Sequence, residues 1–445
     1  MLVLTACAVD ARPDPTPSPT RTPPGVVPQP TSFARTAWGS DSFSRGAVSY
    51  MAVGSTLEHR EALAVPLLQR VFFAGEASSV DNAGTVTGAR LSGAAAAAAV
   101  AEVGRSGDKV AVVGAGAAGA EAARALTREG FDVVVIEARK RVGGRIETVT
   151  DKAWPFPIEL GAWRLAGDDP ALATVLDDAQ VATERLDGSV FRSQTGESDS
   201  DPVSAAAVAS ALAWAQNQPT DVSIETSLDR SGAAATAADS GPDELGGDEL
   251  LAQHLAALAT VFGAGATDLS SWFTPAMQAV PTSIVTGGFG AVVADALDGI
   301  ETFLSTTVVG VAYNDNRVSL RFGTGESLSV DRVVVTVPLG VLQQESIEFD
   351  PLLPFAHRTA ISALGMGTID TVWLRFDQPF WTTDAVIWNL VGTDDEITTW
   401  YNLEPVTGEA VLVGIVGGAA AERTELLDDD ELTAAVLSTL APFAQ

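Results

Sequence analysis

Apolar positions cluster unevenly along this chain, and their spacing predicts its elements. Lys109-Val-Ala-Val-Val113 is an unbroken apolar run of the kind that forms a strand buried on both faces of a parallel sheet. It leads into Gly114-Ala-Gly116-Ala-Ala-Gly119, and the alanine-rich stretch that follows to about residue 129 predicts a helix. Gly130 marks a turn, and Asp132-Val-Val-Val-Ile-Glu137 reads as a second buried strand closed by an acid. Upstream, residues 92–103 predict another alanine-rich helix, joined to the first strand by Gly104-Arg-Ser-Gly-Asp108. Residues 1–30 have no such period. Their repeated Pro, Thr and Ser predict an extended, solvated tether that buries nothing.

Strand, glycine turn, helix and strand together suit a dinucleotide. Gly114 permits a tight turn, Gly116 lets the backbone approach a pyrophosphate, and Gly119 lets helix and strand pack closely. The helix N-terminus offers N–H groups and a positive dipole to phosphate. Glu137 falls about twenty residues past the glycines, where a carboxylate can accept ribose hydroxyls.

Composition narrows the classes. The 445 residues suit two domains or two intimate halves, and 46% hydrophobic residues supply a large core. With 26 basic and 57 acidic residues the net charge is −31, which opposes nucleic acid and an anionic lipid surface. One cysteine, Cys7, excludes an internal disulfide and a thiolate cluster. His59, His254 and His357 lack metal-ligand spacing, so no metal is expected. The acidic runs Glu197-Ser-Asp-Ser-Asp201 and Asp428-Asp-Asp-Glu431 read as solvated surface or helix N-terminal charge rather than cation sites. No apolar run reaches the roughly 18 residues of a membrane span.

Two resemblances then enter. Leu4-Thr5-Ala6-Cys7 resembles the lipobox of bacterial lipoproteins, which implies a lipid anchor at the bacterial cell envelope, the one expected route to a membrane. The six residues before Cys7 are too few for an apolar h-region of about 7–15 residues, so this reading requires a start further upstream; otherwise the expected location is cytoplasmic. The other resemblance covers nearly the whole chain beyond the tether. Glu137-Ala-Arg139-Lys-Arg-Val-Gly143-Gly144-Arg145 resembles the extended fingerprint of the FAD-dependent amine oxidases, the monoamine and polyamine oxidases. Glu159-Leu-Gly161-Ala162-Trp163 looks like their turn beside the isoalloxazine, and Thr286-Gly-Gly288-Phe289 like a further glycine segment. Val308 sits where the family makes a backbone contact to adenine. Val333-Val-Val-Thr-Val-Pro338 is similar to the strand returning to the FAD domain, and Phe376-Asp-Gln-Pro379-Phe380-Trp381 to a later family segment.

Phe72-Phe-Ala-Gly75-Glu76-Ala-Ser78 and Gly84-Thr85-Val86-Thr-Gly-Ala89-Arg-Leu-Ser-Gly93 resemble elements that normally close such enzymes, as does Trp38-Gly-Ser-Asp41 before them. Here they come first, so the order reads as a circular permutation.

The resemblance implies noncovalent FAD, because Ala47 stands where monoamine oxidases carry the flavin-attaching cysteine. It implies a small-molecule amine as substrate, oxidised to an imine by hydride transfer to flavin N5, with oxygen or another electron acceptor. Glu76 would contact the ribityl or diphosphate region, and the turn at Thr85 and Val86 would stabilise charge on reduced flavin. Val48 and Thr85 replace the aromatic pair that cages the amine, with Trp381, Trp388, Trp400 and Tyr401 as possible substitutes. Thr371 occupies the position of the family's flavin-facing lysine. These departures keep two alternatives open: an oxidase or desaturase of a non-amine, and a tethered flavin-binding protein without turnover.

The expected fold is α/β, a doubly wound, Rossmann-like FAD domain interleaved with an α+β substrate domain. Residues 33–165 and 280–340 are assigned to the first and 166–279 and 341–445 to the second, with 1–32 as tether.

Overall fold

A computed structural model describes residues 26–165, 169–193, 196–198, 201, 203–240, 245–274 and 283–444. Cys7 and the tether to residue 25 lie outside the described residues.

The two apolar runs form neighbouring strands, Lys109–Val113 and Asp132–Ile136, in an all-parallel five-stranded sheet. Its order is Glu301–Phe303, Asp132–Ile136, Lys109–Val113, Arg332–Val335, Val71–Phe73. Alternate residues go to opposite faces, as period 2 requires. Phe72, Val110, Val112, Val133, Val135 and Val334 join a core with the helices Val86–Val103 and Ala117–Arg128. Val71, Phe73, Ala111, Val113, Val134, Ile136, Val333 and Val335 join a second core. That second face departs from the doubly wound expectation. It is covered chiefly by a four-stranded sheet, Ser327–Val330, Val318–Phe322, Val308–Tyr313 and Glu348–Asp350, with the helices Leu57–Ala64 and Phe355–Ala363 beside it. Both faces being buried explains why the strands read as unbroken apolar runs.

The other half is a seven-stranded sheet, ordered Ser32–Arg35, Ile369–Arg375, Val411–Gly417, Thr399–Asn402, Ile387–Leu390, Ser189–Arg192, Glu197–Ser198. Its pairs are antiparallel except Ser189–Arg192 beside Ile387–Leu390. One face packs on the helix Asp429–Thr439 through Val372, Leu374, Trp388, Trp400 and Leu412. The other carries Trp373, Tyr401, Val413 and Ile415 toward Trp163 and Ile158. Helices Ser204–Ala215, Ile224–Ser231, Ala233–Ala238 and Gly247–Phe262 form a further layer.

Two expected boundaries are corrected. Residues Ser32–Arg35 hydrogen-bond to Ile369–Arg375, and so belong to the seven-stranded sheet, Ser32 rather than to the tether and residues 33–35 rather than to the dinucleotide unit. Glu348–Asp350 pairs with Val308–Tyr313, and Phe355–Ala363 packs on Leu57–Ala64, which moves 348–363 to the dinucleotide side. The helix opened by the turn at Thr85 and Val86 and the one expected over 92–103 are a single helix, Val86–Val103, which the Thr85 hydroxyl caps by accepting from the Gly88 N–H at 2.9 Å. Neither acidic run holds a metal-like cluster among the described residues. Asp428 caps the last long helix in a capping box with Glu431, and Glu197 pairs with Arg192.

Candidate active site

The glycine turn opens into a cavity of about 1240 Å³. Pockets for drug-sized ligands run to roughly 300–1,000 Å³, so this one has room for a dinucleotide and a second molecule. Its wall begins at Gly114, Gly116, Glu137 and Arg139. It passes Thr306 and Val308, continues past Gly75, Glu76, Gly144, Arg145 and Gly161, and ends against Ile369, Thr371 and Ile415 of the seven-stranded sheet.

The glycines of the turn do different things. Gly119 does not line the cavity; a Cβ there would collide with the Gly114 carbonyl oxygen, so its role is packing rather than cofactor contact. Gly116 is the reverse. Its φ is −83°, which any residue adopts, and the nearest atom to an added Cβ is the Gly143 oxygen at 3.7 Å. The protein itself does not require glycine there, but a ligand lying on the turn would.

Glu137 is buried with both oxygens engaged. Oε2 accepts the Ala115 N–H at 2.8 Å and Oε1 the Arg139 N–H at 2.7 Å. The carboxylate therefore holds the glycine turn as well as facing the cavity, and each oxygen keeps a lone pair for a hydroxyl. The Arg139 guanidinium bonds Asp41 in two places, at 2.9 and 2.7 Å, and packs over Trp38 and Phe43.

Glu76 is the most heavily bonded carboxylate of the wall. It accepts from the Ser49 hydroxyl at 2.6 Å, from Arg145 at 2.9 Å and from the Gly84 N–H at 3.0 Å. Burial pushes its pKa upward, but the Arg145 charge, the Ser49 and Arg145 hydrogen bonds and the Arg60 charge outweigh it, leaving the group below the ordinary carboxylate range. Arg145 also donates to the Ala47 carbonyl at 2.9 Å.

Glu159 behaves oppositely. It is fully buried and accepts the Phe289 N–H at 2.7 Å and the Thr148 hydroxyl at 2.8 Å. With no cation beside it among the described residues, burial drives its pKa up to about 7. A carboxyl raised in the folded state is destabilising once pH exceeds its unfolded value, so stability should fall between about pH 4.5 and 7 from this group. Glu159→Gln is expected to flatten that part of the thermal-stability profile. An unchanged slope would show that Glu159 ionises freely in the fold.

At the sheet end, Ala47, Val48, Thr85, Val86, Ala89, Ala162 and Trp163 lie on the wall. The Thr85 hydroxyl is occupied by the cap and by Asn82, to whose carbonyl it donates at 2.8 Å. Thr371 is 4% exposed, and its hydroxyl oxygen has no hydrogen-bond partner among the described residues. Its neighbour Asp370 points away, bonds Thr36 at 2.7 Å, and is pushed by burial up to about 7. Trp381 is corrected: it packs against Phe376, Phe380 and Trp388 on the opposite face of the sheet and does not reach the cavity. Trp388 and Trp400 share that core, and Tyr401 packs edge-on against Trp163. The aromatic substitutes are thus structural. Thr336, which donates to the Val113 carbonyl at 2.9 Å, and Arg164 escaped the sequence reading; neither sits in a spacing that separates it from its neighbours.

A family model described as flavin containing amine oxidoreductase matches residues 23–101 and 117–445. The chain belongs to that family. It is accordingly a flavin-dependent oxidoreductase of the amine oxidase type. Among curated relatives, polyamine oxidase 4 of Oryza sativa subsp. japonica is 29% identical over 352 residues, 74% of this chain and 72% of the relative. The protein FLOWERING LOCUS D of Arabidopsis thaliana is 30% identical over 75% of this chain but 45% of its own length. A redesigned putrescine oxidase superimposes with a TM-score of 0.60 at 23% identity, covering 76% of this chain and 81% of the other. Cyclohexylamine oxidase from Brevibacterium oxydans gives 0.59 at 18% identity over 76% and 82%. These structures share the amine-oxidase fold with the chain.

Proposed function

We propose that this protein oxidises a small amine using noncovalently bound FAD. The observation that carries the reading is the single cavity joining a ligand-ready Gly116 turn to the buried Thr371 wall. The names of the relatives, polyamine, putrescine and cyclohexylamine oxidases, favour an amine over the non-amine alternatives. FAD, when bound, supplies the hydride acceptor for the carbon beside the amine nitrogen. The chain's own residues bind, orient and exclude water. Gly114, Gly116 and the Ala117–Arg128 helix N-terminus would take the diphosphate, Glu137 a ribose, and the Glu76–Arg145 pair the middle of the cofactor. The amide groups opening the Val86–Val103 helix would face its reactive end. Ile369, Ile415 and Trp163 keep that end dry.

Noncovalent attachment rests on Ala47, which lines the cavity and offers no thiolate. Acid precipitation should release all flavin into the supernatant, and flavin left in the pellet would contradict this. Anaerobic bleaching of the bound flavin across an amine panel tests turnover without regard to the acceptor.

The acceptor is proposed to be a quinone or other carrier more than oxygen, because Thr371 supplies no positive charge where oxygen reduction would profit from one. Arg375 does not compensate: its guanidinium donates to the Ala153 carbonyl at 2.7 Å outside the cavity. Thr371→Lys should raise the rate of oxygen consumption by roughly tenfold or more, the effect of about 1.4 kcal/mol. Rapid oxygen use by the unaltered protein would refute the assignment.

We also infer a circular permutation within the family. Phe33 and Ala444 pack on one apolar cluster, and Arg35 donates to the Leu427 carbonyl at 2.8 Å; Gln445 lies outside the described residues. Val71–Phe73 pairs with Arg332–Val335, which follows it by some 260 positions. A protein joined from residue 444 to residue 26 and reopened between 104 and 108 should fold and bind flavin; failure of both would count against it.

A further inference from the structure

The strand Ile369–Arg375 turns Thr371 to the cavity and Asp370 to the opposite face, where Asp370 is buried. Asp370 Oδ1 accepts the Thr36 hydroxyl at 2.7 Å and the Trp38 N–H at 3.0 Å. The next two amides of the same turn, those of Gly39 and Ser40, go to Glu425, one to each oxygen, at 2.7 and 2.8 Å. Three successive N–H groups are divided between two carboxyl groups, which brings the carboxyls together. Glu425 ends the helix Ala419–Glu425.

One oxygen is left over. Asp370 Oδ2 is buried and has no hydrogen-bond partner among the described residues. The carboxyl of Glu425 is within hydrogen-bonding reach of Asp370, but it has no hydrogen to give when ionised. Two carboxylates side by side repel, and an unsatisfied buried oxygen carries a cost of its own. A single hydrogen on Asp370 Oδ2, donated to Glu425, removes both penalties. Asp370 is the place for it, because each Glu425 oxygen already accepts an amide while Oδ2 accepts nothing. Burial pushes the Asp370 carboxyl up, the Thr36 and Trp38 bonds oppose the rise, and Glu425 adds to it.

The cations on the surrounding elements are committed elsewhere. Arg35 donates to the carbonyls of Leu427 and Thr424 and lies 3.7 Å from Asp429, Arg423 is bonded to Glu396, and Arg139 to Asp41. Of the other acids there, Asp428 caps the last long helix, and Glu422, Asp429 and Asp430 are exposed.

The turn is also the footing of the cofactor wall. Thr36 Oγ1 accepts the Thr371 N–H at 2.9 Å, so one hydroxyl joins Asp370 to the backbone of Thr371. Trp38, Phe43 and Ser44 line the cavity, and Arg139 packs over the two rings and bonds the Ser44 hydroxyl at 2.7 Å.

From this, and resting on the reading that FAD binds in this cavity, we propose that Asp370 is a positioning residue for the cofactor. Carrying a hydrogen on Oδ2 and donating it to Glu425, it fastens residues 36–40 to the sheet and holds the wall of Trp38, Phe43 and Ser44 in the shape that takes FAD. Loss of that hydrogen places two charges under the turn and loosens the wall.

The test compares the unaltered protein with Asp370→Asn and Glu425→Gln, each as apoprotein and with FAD. An amide at 370 accepts from Thr36 and Trp38 through its oxygen and donates to Glu425 at every pH. An amide at 425 must turn its NH2 toward the N–H of Gly39 or Ser40, so Glu425→Gln should lower thermal stability at every pH. Stability of the unaltered apoprotein should fall as pH rises from 3.8 to about 7, because Asp370 ionises first in the unfolded chain. Asp370→Asn should lose part of that slope and be at least as stable as the unaltered protein at pH 8; Glu159 is common to both and cancels. The Kd for FAD, read by fluorescence quenching, should rise roughly tenfold in the unaltered protein between about pH 6.5 and 8.5 and stay level in Asp370→Asn, a separation that a merely structural aspartate would not produce. An Asp370→Asn protein that fails to fold, or is the less stable at pH 8, would mean that the turn needs the ionised aspartate and would overturn the proposal. FAD bound with the same pH dependence by both proteins would remove the role of Asp370 and leave the cofactor reading standing. FAD bound by neither at any pH would end the cofactor reading and this role with it.

Discussion

Gly116→Val should leave a folded protein that purifies without flavin. Valine adopts the extended backbone of residue 116 without strain, and its Cβ meets nothing closer than 3.7 Å. The cost to the fold is the poorer helix cap, about 1 kcal/mol. The isopropyl group, however, fills the space from which a phosphate would reach the amides of the helix. Losing one or two such charge-assisted bonds weakens binding by roughly 10- to 150-fold each. Flavin affinity by fluorescence quenching and thermal stability of the apoprotein measure the two effects separately. Gly119→Ala supplies the contrast. Its Cβ collides with the Gly114 carbonyl, so it should lose about 1–3 kcal/mol of stability. A Gly116→Val protein that stays stoichiometrically yellow through gel filtration would move the diphosphate away from this turn.

Arg145→Ala should be the most destabilising single charge removal in the molecule. It strands the Glu76 carboxylate, which is 6% exposed, with only Ser49, Gly84 and the more distant Arg60 to offset burial. Removing one partner of a buried pair typically costs about 3–5 kcal/mol. The pH dependence follows from the direction of the shift. Glu76 is lowered in the fold from an ordinary value of 4.5, so its contribution is present above that value and lost as pH falls through the lower folded pKa. In Arg145→Ala the loss should begin at higher pH. Denaturant titrations at pH 7 and pH 4 test this: a variant with the stability and acid profile of the unaltered protein would mean Arg60 alone satisfies Glu76.

The dinucleotide unit was legible because its requirements are local. A buried parallel strand must be apolar at every position, and Lys109–Val113 and Asp132–Ile136 are. The distinction between Gly116 and Gly119 is likewise readable, since one faces open space on the cavity wall and the other packs on the Gly114 carbonyl. What sequence could not reveal was pairing across distance. Ser32–Arg35 carries nothing to say that its partner is Ile369–Arg375, so its place in the seven-stranded sheet is visible only in the fold. Trp381 failed for a related reason: an aromatic in a strand-rich region is equally suited to either face, and only the sheet decides.

The order of the parallel sheet bears on how the chain assembles. Arg332–Val335 sits between Lys109–Val113 and Val71–Phe73. As the chain emerges from the ribosome, the Val86–Val103 helix already links those two flanking strands, but the place between them cannot be filled until some two hundred further residues exist. Until then two apolar strand edges stay unpaired, which invites aggregation. Nascent chains arrested before and after residue 335 has left the ribosome should therefore mark the point at which the dinucleotide unit first resists protease. Loop closures of that length also place this protein among slow folders, with insertion of one strand as the late event.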